Sequence, residues 1–298
     1  MTDPALHPRG VFCAAATPLT ADYAPDHTRF VAHAKRLIAQ GCDGVALLGT
    51  TGEANSFSLA QRQALLEATV EAGVAPDKLM PGTGVAAISE TIDLTKHALS
   101  LGVDTVVMLP PFYYKGVTDH GLFAAYSEVI ERIGDARLRV VLYHIPQVSG
   151  VPISHDLIER LRARYPETVT GIKDSSGDIA NHVAMIERFP GFAVLTGADP
   201  LLLPLLPKGA AGCITATSNL CAADLAFVYR HYADPSQADE VAAAQARVVT
   251  ERERTVGPRQ MAAIKALIAQ ATGEDGWLRL CPPLMALTAD QHRALLGG

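Results

Sequence analysis

Of the seven lysines in this 298-residue chain, Lys173 alone ends a strand-like run, Thr168-Val169-Thr170-Gly171-Ile172, and it is followed by the polar turn Asp174-Ser175-Ser176-Gly177. Lys35, Lys96 and Lys265 fall in helical patterns, where a solvated face is expected, and Lys78, Lys115 and Lys208 sit beside turn residues. An amine at the end of a buried strand loses part of its water. Desolvation favours the neutral form, the nucleophile that makes Schiff bases with carbonyls. The alternative for Lys173 is an ion pair with Asp174.

Two other strand ends carry matching chemistry. Gly49-Thr50-Thr51-Gly52-Glu53 follows Val45-Ala46-Leu47-Leu48, and its glycines permit a tight turn. Backbone N–H groups and two hydroxyls there can converge on a carboxylate. Tyr143-His144-Ile145-Pro146 closes the run Arg139–Leu142 and offers a phenol. A plain strand-to-helix turn and a packing tyrosine are the respective alternatives.

The elements that must position these groups alternate. Short apolar runs occur at Phe12–Ala16, Gly44–Leu48, Leu79–Gly82, Asp104–Leu109, Arg139–Tyr143, Thr168–Ile172, Phe192–Thr196 and Gly212–Ala216, the third broken by Pro81. Between them lie helical patterns such as Asp26–Gln40, Ser58–Ala72, Ser89–Ser100, Thr118–Ile133 and Ser154–Arg164. Strands apolar nearly throughout are buried on both faces of a parallel sheet. The alternation predicts an α/β protein, a (β/α)8 TIM barrel, with an open doubly wound sheet as rival. In such a barrel the reacting groups sit at the C-terminal ends of the strands, which puts Lys173, Tyr143 and the Gly49–Glu53 turn at one mouth. After Tyr232 the alternation stops. Helices are expected over Gln237–Arg254, Pro258–Ala271 and from the capped start Thr288-Ala289-Asp290-Gln291. The expected organisation is a catalytic barrel over 1–232 and a helical appendage over 233–298, packed on the barrel or on a partner subunit.

Composition excludes several classes. Hydrophobic residues make up 49% of the chain and charged residues 19%, with a net charge of −6. A mildly acidic globular chain has no bulk attraction for nucleic acid or anionic membrane. Leu201–Pro207, the most apolar short stretch, is interrupted by Pro204 and too short to span a bilayer. Met1–Gly10 has neither the basic start nor the apolar run of a signal peptide. Cys13, Cys42, Cys213, Cys221 and Cys281 are scattered and form no C-x-x-C pair, so reduced thiols in a cytoplasmic protein are expected. No H-E-x-x-H, H-x-H or G-x-S-x-G occurs, so neither metal nor cofactor is expected. Gly82-Thr83-Gly84-Val85-Ala86-Ala87 fits a dinucleotide fingerprint, but Asp104 precedes its strand instead of ending it.

The Gly49–Glu53 turn, Pro110-Pro111-Phe112-Tyr113-Tyr114, Tyr143-His144-Ile145-Pro146 and Gly171-Ile172-Lys173-Asp174 together resemble the dihydrodipicolinate synthase/N-acetylneuraminate lyase family. Ala16-Thr17-Pro18 and Leu278–Pro283 fit as well, so the resemblance spans nearly the whole chain. It implies a class I aldolase acting on pyruvate, with Lys173 as the imine-forming amine and Tyr143 as the proton shuttle. Thr50 and Thr51 would hold the carboxylate, Thr51 would link the tyrosine hydroxyls, and Tyr113 would be lent to a neighbouring subunit of a homotetramer. Gly49, Ile214, Gly197 and Val148 complete the implied substrate contacts. Dihydrodipicolinate synthases proper carry an arginine where Val148 stands, so a 2-keto-3-deoxy acid is expected in place of aspartate semialdehyde. His144 replaces a common asparagine, and of the acidic pair used by neuraminate lyases only Asp199 remains in Thr196–Pro200. A dihydrodipicolinate synthase proper, a dehydratase using the same imine and a non-catalytic 2-keto-acid binder are the alternatives.

Overall fold

The computed structural model describes residues 7–297. Residues 1–6 of the Met1–Gly10 segment, and Gly298, lie outside the described residues. The chain runs β1 (Gly10–Ala14), α1 (His27–Ala39), β2 (Gly44–Ala46), α2 (Leu59–Glu71), α3 (Ile88–Ser100), β3 (Thr105–Met108), α4 (Asp119–Ile133) and β4 (Arg139–His144). It continues with α5 (Pro146–Ser149), α6 (His155–Arg164), β5 (Val169–Asp174), α7 (Ile179–Arg188), β6 (Ala193–Thr196), α8 (Leu202–Leu205), β7 (Gly212–Thr215) and α9 (Ser218–His231). The helix starts are where the caps put them. Asp26, Thr118 and Ser154 each accept a backbone N–H of the first turn, and Ser58 forms a reciprocal capping box with Gln61.

Seven parallel strands pair in the order β2-β1-β7-β6-β5-β4-β3. The remaining run, Leu79–Gly82, makes single bridges instead of a ladder because Pro81 has no N–H to give. Met80 and Gly82 donate to Val45 and Leu47 at 2.9 and 2.8 Å, and Thr83 and Val107 donate to Val107 and Pro81 at 3.0 Å each. These bonds close the ring between β2 and β3, so the fold is the expected TIM barrel.

Alternation along the strands divides the core. Phe12, Ala14, Ala46, Met80, Val107, Val141, Tyr143, Leu195 and Ile214 fill the barrel interior. Their neighbours Val11, Cys13, Val45, Val106, Leu142, Ile172 and Cys213 face the helices. All five cysteines are free thiols, and burial pushes Cys42 up to about 12. No helix among the described residues is long and apolar enough to cross a membrane.

After α9 come α10 (Ala238–Thr255), α11 (Gln260–Thr272) and α12 (Ala289–Leu296). Ile264 and Ile268 of α11 pack with Trp277 against Ala16 and Ala216 of the barrel. Lys265 corrects the expectation of a solvated face. Ala262–Ala269 is buried on every side, and the Lys265 ammonium is paired with Glu53 inside the protein. A helix enclosed all round has no solvated face to offer.

A buried polar network ties β1 to α1 and α9. Asn219 Oδ1 accepts from Ala16 N–H at 3.0 Å and from His33 Nε2 at 2.8 Å, and its amide donates to Ala14 and Ala216 carbonyls at 2.9 and 2.7 Å. Arg36 donates to His33 Nδ1 at 2.9 Å, so the imidazole is neutral. Burial pushes its pKa from 6.5 down to about 4. As pH falls through that window the unfolded chain takes up a proton that folded His33 refuses, and stability is lost, about 3 kcal/mol in full. Urea unfolding near pH 7 and near pH 4 should therefore show an acid-side loss smaller by about 3 kcal/mol in His33→Gln than in the wild type. Parallel pH profiles for the two proteins would refute this.

Candidate active site

Lys173 lies on the inner face of β5 and is 5% exposed. The β4–β5 ladder pairs it in register with Tyr143, so both side chains project from one face at the same height. The ammonium sits 4.2 Å from the Tyr143 ring centroid. Asp174, one residue on, points the opposite way. Its carboxylate accepts Ser176 N–H at 2.7 Å and the Asn181 amide at 2.7 Å, and it is fully buried against α7. Lys173 makes no ion pair among the described residues, so the pairing with Asp174 offered as its alternative does not form.

The Gly49–Glu53 turn leaves β2 through Leu48 at φ 57° and ends at Glu53 at φ 56°. Gly52 has no room for a side chain, since a Cβ would stand 2.8 Å from the Ala15 carbonyl. The turn carries Thr50 to within 3.3 Å of the Tyr143 hydroxyl. Between these groups lies a recess whose walls include Lys173, Tyr143, Gly49, Thr50, Asn55 and Arg62. Its lining holds two basic side chains and no acidic one.

Arg62 is a site residue that the sequence reading missed. Its guanidinium is buried, donates to the Gly82 carbonyl at 2.8 Å and leaves Nε without a partner. Burial pushes its pKa down to about 10. The signal was present: Arg62 shares the buried stripe of α2 with Leu65, Leu66 and Thr69, which is unusual company for an arginine. Gly82 and Gly84 belong to the recess wall. Cβ atoms there would meet the Leu48 carbonyl and the Leu109 amide at 2.3 Å, so close backbone crossing explains the G-x-G spacing. Among the described residues no group of three or more His, Cys, Asp or Glu side chains is placed to hold a metal.

Residues 7–296 match the profile of the dihydrodipicolinate synthetase family. The chain belongs to that family. It is 37% identical over 290 residues to an uncharacterized DapA-like lyase of Chloroflexus aurantiacus, covering 97% of this chain and 95% of that protein. The dihydrodipicolinate synthase of Agrobacterium tumefaciens superposes with a TM-score of 0.86 at 32% identity, over 97% of each chain. YagE of E. coli K12, a family member solved in complex with pyruvate, superposes at 0.87 with 25% identity over 96% of each chain. The protein is a lyase of the synthase and aldolase type.

Within this family frame, the other residues singled out from sequence fall in different places. Ile214 is buried on the inner face of β7 among the residues that fill the barrel interior, outside the lining of the recess. Gly197 follows β6, donates to the Asp174 carbonyl at 2.7 Å and would clash through any Cβ with Ser175 Oγ at 2.0 Å. Thr51 is half-buried in the turn, and the hydroxyl contact to Tyr143 is made by Thr50. Val148 on α5 is 62% exposed; Tyr113 and Tyr114, stacked edge-to-face at 5.2 Å, are 73% and 74% exposed. His144 alternates outward from Tyr143; its Nδ1 accepts Ile153 N–H at 3.0 Å and burial lowers its pKa, so it is a structural residue. Asp199 is buried away from the recess, accepting from Thr217 Oγ1 at 2.8 Å, and burial raises its pKa.

A buried amine without a carboxylate partner is a local cost to the fold. Lys173→Met should raise the unfolding free energy by about 1–2 kcal/mol in urea titration. A loss of stability would mean that the ammonium has a partner the geometry does not reveal.

Proposed function

We infer that this lyase is a Schiff-base-forming, class I aldolase that cleaves or makes a C–C bond of a 2-keto acid, with pyruvate as product or substrate. The observation that carries the reading is Lys173 itself: an amine buried in the recess, unpaired among the described residues, against a tyrosine whose hydroxyl meets Thr50. The two basic and no acidic residues of the lining suit a carboxylate-bearing substrate.

In the cleavage direction the neutral Lys173 amine attacks the keto carbon, and uptake of one proton with loss of water leaves a protonated imine. The substrate's C4 hydroxyl gives its proton to the Tyr143 side, the C3–C4 bond breaks, and its electron pair passes into the imine to form an enamine. An aldehyde departs. The proton taken from the C4 hydroxyl passes to the enamine carbon, and hydrolysis of the protonated imine consumes one water and releases pyruvate, the neutral amine and the proton taken up at the start. The electron sink is the protein's own nitrogen, so the route calls for no cofactor. Thr50, with Thr51 and the amides of the Gly49–Glu53 turn, holds the carboxylate, and Gly49 lines the recess beside them, whereas Gly197 and Ile214 lie outside its lining. Tyr143 moves the protons, a role that general acid–base catalysis makes worth about 10²–10⁴-fold in rate.

Val148, exposed on α5, has no charge of its own for a second carboxylate, which supports a 2-keto-3-deoxy acid as partner. The synthase reaction is the second reading, favoured by the likeness to the Agrobacterium synthase. The exposed Tyr113–Tyr114 pair supports a homotetramer in which Tyr113 completes a neighbour's site, and the five free thiols support a reducing, cytoplasmic setting.

Pyruvate and borohydride should leave a reduced adduct on the peptide containing Lys173, absent in Lys173→Ala. Tyr143→Phe should lower kcat for pyruvate release from 2-keto-3-deoxy acids by about 10²-fold or more. A wild-type protein that gives no adduct overturns the reading, and brisk condensation of pyruvate with aspartate semialdehyde in a coupled assay overturns the substrate assignment.

A further inference from the structure

We propose that Lys265, on α11, is a positioning residue for the 2-keto acid site, holding the Gly49–Glu53 turn from behind through the carboxylate of Glu53; the proposal rests on reading that turn as the carboxylate binder. The turn begins and ends in left-handed backbone at two residues that are not glycine, Leu48 at φ 57° and Glu53 at φ 56°. Such conformations persist only where the surroundings over-determine them. On the barrel side Thr17 Oγ1 donates to the Gly52 carbonyl at 2.9 Å, and Gly52 lies flat against Ala15.

On the far side the anchor is Glu53. Its Oε1 accepts from Lys265 Nζ, its Oε2 accepts from Cys281 N–H at 2.9 Å, and Lys265 Nζ also donates to the Arg279 carbonyl at 2.8 Å. Both charged side chains are sealed from water. The strut therefore joins the C-terminal helices to the turn, and Thr50, three residues from Glu53, carries the contact to the Tyr143 hydroxyl. With one partner removed, the other is a buried charge without compensation. The inexpensive escape is for the turn to shift Glu53 toward solvent, and Thr50 shifts with it.

Lys265→Met tests this, with Val248→Ala, a truncation on the buried face of α10 in a different core cluster from Ile264 and Ile268 of α11, as the destabilised control. Two readouts are taken. In the first, the pyruvate concentration that half-saturates borohydride trapping should rise about 10- to 100-fold in Lys265→Met and stay at the wild-type value in Val248→Ala. In the second, amide exchange at Glu53 and Ala54, which donate to Thr50 and Gly49 carbonyls at 3.1 and 3.2 Å, should quicken about tenfold or more while β5 keeps its protection. The second readout needs no ligand. If exchange quickens but the wild type traps no pyruvate, the strut stands and the reading of the turn falls. Unchanged exchange and unchanged half-saturation in Lys265→Met overturn the strut. Should Lys265→Met fail to fold, Glu53→Gln, which keeps one acceptor oxygen, is read by the same two measurements with the same outcomes.

Discussion

One parallel ladder decides what this protein can do. Tyr143 pairs with Lys173 and His144 with Asp174, and strict alternation sends the first pair into the barrel and the second out toward the helices. A slip of β5 by one residue would place the Asp174 carboxylate in the interior opposite Tyr143 and turn the Lys173 amine out under a helix. The register also separates Lys173 from its neighbouring carboxylate more effectively than distance along the chain could, because Asp174 spends its lone pairs on Ser176 and Asn181. An amine kept free of a counter-ion in this way is available to a substrate.

The features legible in the amino-acid order are those whose causes are local. Helix starts at Asp26, Ser58, Thr118 and Ser154 follow from a side-chain oxygen placed before an amphipathic stretch, and strand ends follow from apolar runs meeting polar turns. Lys173, Tyr143 and Thr50 were visible because a barrel gathers its strand ends at one mouth, so that position along the chain stands in for position in space. Leu79–Gly82 was legible as a run, though Pro81 limits it to bridges.

What stayed hidden depends on which long-range face a side chain meets. Lys265 reads as a helical lysine until α11 is seen enclosed by the barrel and Trp277, and its partner lies 212 residues away. Asn219 joins segments from β1, α1 and α9 through bonds no spacing announces. Asp199 and Gly197 share one turn, yet the first is buried against α10 and the second stays at the strand end, because turns have no periodicity from which direction can be read. Arg62 was half-visible, since it stands on an apolar stripe, but arginine stems cover apolar surface often enough that the stripe alone does not mark a site.

The distribution of charge argues further toward the substrate. The chain as a whole is acidic, with a net charge of −6, yet the recess reverses that sign locally. The two carboxylates nearest to it in sequence are withdrawn, Asp174 behind β5 and Glu53 into a pair with Lys265. The two cations, Lys173 and Arg62, face the recess. A positive pocket with apolar walls in a negative body concentrates field lines at its opening and draws small anions inward. It gives nothing to a neutral sugar and repels a cation. A small carboxylic acid would meet this field whichever bond is later made or broken, so a preference for an anionic end follows from the barrel itself, whereas outside the recess the α5 segment that carries Val148 adds a further cation, Lys115, which donates to the Ser149 carbonyl at 2.6 Å.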